Sequence, residues 1–143
     1  MSKKFKTILL IFSIFLLTIF FSYILSPIGG LIYKGILNGH CGGGLFLLEM
    51  GDLNCQTEGF IYFYIFFLTI SSFILLKQKM AWLVFIIGSF VFWLLSLSMI
   101  FTENLNYRRS VYIGDLIIMV CFFVMAWLLA QGVLLVYKKF KKT

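Results

Sequence analysis

Charge is scarce in this chain. Asp, Glu, Lys and Arg make up 12% of its 143 residues against 62% hydrophobic, and proline and histidine occur once each. Soluble domains carry roughly 25% charge, so half of the usual solubilising surface is missing and little is left for a folded aqueous domain. The motifs of common catalytic sites are missing too. There is no Ser/His/Asp set and no pair of catalytic carboxylates. Gly42, Gly43 and Gly44 lack the following Lys-Ser/Thr that a phosphate-cradling loop needs. No Cys-x-x-Cys is present, the spacing common in redox exchange. No apolar run carries a charge at its centre, which leaves a proton pump or ion-selective pore poorly equipped. The chain has no Asn-x-Ser/Thr glycosylation site. Its net charge of +7 does not point to nucleic acid, because nine of the twelve Lys/Arg fall in three short clusters beside the apolar runs. Basic charge there sets topology, and no basic patch has a soluble fold to sit on.

What is present is four long apolar runs. The first holds no charged side chain from Thr7 to Tyr33, and about 20 such residues cross a hydrocarbon core of ~30 Å. The spans are expected at about 7–26, 59–76, 80–102 and 111–137. Pro27 and Gly29-Gly30 should end the first, and Lys77-Gln78-Lys79 the second. With so short a stop, spans two and three should form a tight antiparallel hairpin. The expected fold class is an all-α membrane protein, a single membrane-embedded domain over 1–143 with four transmembrane helices in an antiparallel bundle.

The positive-inside rule orients it. The N-terminus, the Lys77/Lys79 turn and the C-terminus carry nine Lys and no acid, whereas the opposite loops hold Lys34, Arg108 and Arg109 with Glu49, Asp52, Glu58 and Glu103. Both termini should therefore be cytoplasmic, in what reads as a bacterial inner membrane. A cleaved signal peptide over residues 1–26 fits less well, since its apolar run exceeds the usual 7–15 residues and no A-x-A-like site follows. Tyr23, Tyr33, Tyr62, Tyr107, Tyr112 and Tyr137 lie near span ends, as an interfacial belt would. Small residues such as Ser13, Ser71, Ser72, Gly88, Ser89, Ser96, Ser98, Ala126, Ala130 and Gly132 should let helices approach closely. No GxxxG falls within a span.

Residues 27–58 form the one substantial outer loop, glycine-rich, with the lone His40 and two of the three cysteines. Leu31-Ile32-Tyr33 and Leu45-Phe46-Leu47-Leu48 are too apolar for water and should lie on the membrane interface, with Gly42-Gly43-Gly44 as the bend. Cys41 and Cys55 face an oxidising compartment in this orientation. A disulfide between them would close a loop of about 15 residues, worth roughly 3 kcal/mol on the chain-entropy estimate. Free thiols, redox catalysis and a metal site drawing on His40, Cys41 and Cys55 are the alternatives. Zinc sites typically show two tight ligand pairs, and Cys55 stands alone.

Within the spans the polar candidates are few. Asp115 is expected at interface level near a helix N-terminus, where a carboxylate is favourable and Arg108 or Arg109 could pair with it. Its functional alternative is a proton- or cation-binding carboxylate. Gln131 should serve as packing glue, and Cys121 as a small buried apolar residue. The composition fits a non-enzymatic accessory subunit, modulator or immunity-type partner of another membrane protein, with no cofactor implied. A membrane thiol oxidoreductase using the loop cysteines and a small transporter using Asp115 are the rivals.

Overall fold

The computed structural model describes residues 3–36 and 55–141, apart from the side chains of Lys3, Tyr107 and Arg108. It is all-helical there: α1 spans Lys3–Ile36, α2 Gln56–Leu75, α3 Gln78–Thr102 and α4 Asn106–Phe140. All four are long and apolar enough to cross a membrane. This is a multi-pass integral membrane protein.

The helices are not equivalent. Just over half (56%) of the most apolar window of α2 is buried, against 17% to 28% in the others. The shortest helix is thus the central one. It packs against each of the other three, most extensively against α1. Between α2 and α3 run Phe73–Trp82 and Tyr64–Phe92 ring contacts at 5.0 and 5.1 Å. Between α3 and α4, Phe85 stacks on Phe123 at 4.8 Å and the Ser96 hydroxyl meets Met119 Sδ at 3.4 Å. The outward faces of α1, α3 and α4 keep Phe12, Phe20, Ile87, Phe90, Leu128 and Leu135 exposed, as lipid requires.

The first span does not stop at Ser26. The expectation that Pro27 and Gly29-Gly30 end it is overturned, because α1 runs through all three to Ile36. Proline removes the bond to the carbonyl four residues back, here that of Tyr23. The Ser26 hydroxyl donates to that carbonyl at 2.8 Å. In a membrane a freed carbonyl has no water to turn to, and a neighbouring hydroxyl that fills the gap keeps the helix continuous. The aqueous segment expected over 27–58 therefore shrinks at both ends, since 27–36 belong to α1 and 56–58 to α2. Leu31, Ile32 and Tyr33 ride on α1, with Tyr33 buried and Leu31 exposed. The stop after the second span is also shorter than expected. Only Leu76 and Lys77 lie between α2 and α3, and Lys79 belongs to the first turn of α3. The fourth helix begins at Asn106, ahead of the expected Val111.

The glycines read as terminators are instead where α1 and α2 cross. A Cβ on Gly59 would sit 2.7 Å from the Gly29 carbonyl carbon and closer still to Ser26 O and Gly30 N. A Cβ on Gly29 would meet Gly59 O at 2.7 Å. Two backbones touch here with no side chain between them. The buried face of α1 explains the fit: Ile14, Thr18, Ser22, Ser26 and Gly30 recur every four residues and all are buried. The hydroxyls on that stripe are largely spent on their own helix, Ser22 donating to Thr18 O at 2.6 Å. Gly88 is a second close approach, where an added Cβ would lie 2.7 Å from the Phe15 ring and 2.9 Å from a Leu68 methyl. Gly132 is not one, as nothing lies within 4 Å of its missing Cβ.

Candidate functional site

Where α1, α2 and α4 meet, the structure gathers Tyr33, Glu58, Tyr62, Asp115 and Phe122. Glu58 and Tyr62 are one turn apart on α2, so both point from the same face. Glu58 is buried and Tyr62 fully so, as is Tyr33 on α1. The Tyr62 hydroxyl donates a short hydrogen bond to Asp115 Oδ1 on α4. The Tyr33 ring lies 6.2 Å from the Tyr62 ring, and Phe122 stacks on its other neighbour side at 5.4 Å. Phe122 also meets Phe63 and Phe66 edge-on at 5.6 and 6.2 Å. A tyrosine O–H thus reaches a half-buried carboxylate through an aromatic wall. In a medium of low dielectric such a bond is stronger than in water, and leaving it unmade is costly. The arrangement fastens α4 to α2.

Arg108 and Arg109 are the ion-pair candidates that the sequence offers Asp115. The structure gives its carboxylate the Tyr62 hydroxyl as partner. Arg109 donates from Nη2 to the Glu103 carbonyl at 2.7 Å, while its Nε is buried without a hydrogen bond. The side chain of Arg108 lies outside the described residues. Gln131 sits half-buried on α4, and Cys121, expected to be buried, is an exposed free thiol. The tyrosines divide: Tyr23 and Tyr137 are exposed, but Tyr33 and Tyr62 are interior residues rather than members of a belt.

Of the loop candidates, His40 and Cys41 lie outside the described residues. Cys55 stands immediately before α2, buried, with φ at 52°. A non-glycine residue in the left-handed region costs roughly 1–3 kcal/mol and persists only where its surroundings hold it. No group of three or more His, Cys, Asp or Glu that could hold a metal is found among the described residues.

Tyr62 and Gly59 are the residues of the helix contacts least visible in the sequence. Each looked ordinary alone, one a belt tyrosine, the other the end of a glycine-rich loop. A usable signal for the crossing did exist in the four-residue repeat Thr18, Ser22, Ser26, Gly30, a small-xxx-small pattern wider than GxxxG. No family model, curated protein or solved structure matches this chain.

Proposed function

We propose that this protein is a non-enzymatic accessory subunit, modulator or immunity-type partner of another membrane protein. The observation that carries the reading is the use made of Asp115, the one acid inside the apolar part of α4, which is bonded to Tyr62 at the contact between α4 and α2. A carboxylate engaged in holding helices together has a packing role, as polar residues inside bundles commonly do. The exposed surfaces of the spans are apolar, which leaves the segment between α1 and α2 as the part with chemistry to offer a partner.

In this proposal the helices form an antiparallel bundle in a bacterial inner membrane, with both termini cytoplasmic. Cys41 and Cys55 form a disulfide that staples the outer segment to the start of α2. The burial of Cys55 and its constrained backbone support a fixed position for that thiol.

Photo-crosslinkers placed singly along residues 37–54 in intact cells test the reading. A discrete adduct with one integral membrane protein, confined to a few positions, is expected. Reconstitution of the purified protein supplies the opposing result. Proton or cation flux across proteoliposomes that is abolished by Asp115→Asn would replace the accessory reading with transport.

A further inference from the structure

We propose that α1 past Pro27 is a hinged arm, seated by Tyr33, that couples the C-terminal end of α1 to the Tyr62–Asp115 bond. The arm is residues 28–36, and three features coincide at its base. Pro27 removes a backbone bond and crowds the turn before it, which is where helices kink. Gly29 and Gly30 follow, and glycine has the widest choice of backbone angles. Ser26 spans the break through its side chain alone, donating to the Tyr23 carbonyl at 2.8 Å. A hydroxyl can rotate to keep such a bond as the helix angle changes. The backbone of Gly59 on α2 presses against Ser26 O and Gly30 N, on either side of Pro27. The weak point of α1 thus rests on a fixed point of α2, as a lever rests on a fulcrum.

The two parts of α1 are held differently. Before the proline, Ile14, Thr18, Ser22 and Ser26 are buried, and Leu10, Ile11 and Phe15 pack against the core. Past it, Ile28, Leu31 and Ile36 are more than half exposed, and open space surrounds the missing Cβ of Gly35. Tyr33 is the one buried side chain of the arm, and Ile32 adds a half-buried one. Gly29 beside Gly59 and Phe21 beside Phe67 bring Ile32 level with Gln56, so the last turn of the arm stands past the start of α2. Helical side chains lean toward the N-terminus, and Tyr33 reaches back to Tyr62, ring to ring at 6.2 Å. The Tyr62 hydroxyl is the group that bonds Asp115. The seat of the arm is therefore the residue that fastens α4 to α2, and a coupling through that one side chain acts in both directions. The inference is independent of the accessory reading, because hinge, fulcrum and seat all belong to one chain.

Spin labels carried on p-acetylphenylalanine leave the cysteines untouched and can be placed in pairs on the full chain in nanodiscs. One pair, at Gly35 and Ile113, reports the arm; a second, at Leu17 and Leu128, reports α1 before the hinge. Apart from Gly35, whose Cβ position is open, these are exposed apolar sites. The parent should give one narrow distance for each pair. Nine residues make an arm of ~14 Å, so a swing of ~25° moves its tip by ~6 Å. Tyr33→Ala should therefore add a population about 6 Å longer at the arm pair and leave the lower pair unchanged. Adding Pro27→Ala, which returns the backbone bond, should narrow the arm pair again. Asp115→Ala, on a different helix, should broaden the arm pair in the same way. An arm pair that stays narrow in Tyr33→Ala overturns the proposal. So does one that broadens together with the lower pair, which would mean that α1 leaves as a whole. Failure of Pro27→Ala to narrow it removes the hinge, and an arm indifferent to Asp115→Ala removes the coupling. Asp115→Ala, alone and with Pro27→Ala, keeps the test decisive should Tyr33→Ala insert poorly.

Discussion

Replacing Gly59 by alanine adds one methyl group where two helix backbones meet. That methyl would lie 2.7 Å from the Gly29 carbonyl carbon and nearer to Ser26 O and Gly30 N. Ordinary contact begins near 3.4 Å, so α1 and α2 must part by the order of 1 Å. None of the obstructing atoms belongs to a side chain that could rotate aside. A gap of 0.5–1 Å forfeits roughly a quarter to a half of each dispersion contact, and this contact extends over the most extensive helix pair in the molecule. Overpacking a filled site costs roughly 1–3 kcal/mol, while alanine recovers roughly 0.5–1 kcal/mol of backbone entropy relative to glycine. The net expectation is a loss of about 1 kcal/mol, with ~2.5 kcal/mol as the upper end. Gly132→Ala is the matched control, because nothing lies within 4 Å of its Cβ position. That variant should be neutral or more stable by up to ~1 kcal/mol. Both can be measured by reversible unfolding in mixed micelles, or by steric trapping in bicelles, with tryptophan fluorescence as signal. Equal stability of Gly59→Ala and the parent protein would refute the backbone contact between α1 and α2 and the register built on it.

Three further outcomes can be checked in the same system. Ser26→Ala leaves the Tyr23 carbonyl without the hydroxyl that replaces its lost helix bond, and should cost about 0.6 kcal/mol, up to ~1.7, whereas Ser26→Ala combined with Pro27→Ala should recover the loss. Tyr62→Phe strands the Asp115 carboxylate and should cost roughly 1–3 kcal/mol, more than Asp115→Asn, whose amide oxygen still accepts from Tyr62; the reverse order would argue against the bond. Maleimide-PEG applied to protein unfolded in SDS should label the free thiol of Cys121 without reductant and Cys41 and Cys55 only after reduction, and immediate labelling of all three would end the proposed disulfide.

Much of the fold was legible because a membrane reads averages. A window of about 20 apolar residues satisfies the bilayer whatever its order, so runs free of charge announced four spans. The ends were less legible. Pro27 and Gly29-Gly30 are stop signals in water, but Ser26 supplies the missing bond and keeps α1 intact to Ile36. At the site, Asp115 stood out as an acid in an apolar run. Its partner did not, since Tyr62 is 53 residues away and one of seven tyrosines.

By itself the sequence determined the number of spans and the distribution of lysine at their ends, because hydropathy and charge are local properties of composition. Only the tertiary structure decided that α2 is the central helix, that the backbones of α1 and α2 meet at Gly59, and that Asp115 answers to Tyr62. Those outcomes depend on which faces meet and at what register. Two helices whose apolar faces suit lipid and protein equally well leave that choice to a few small or polar residues, and their effect appears only once both helices are in place.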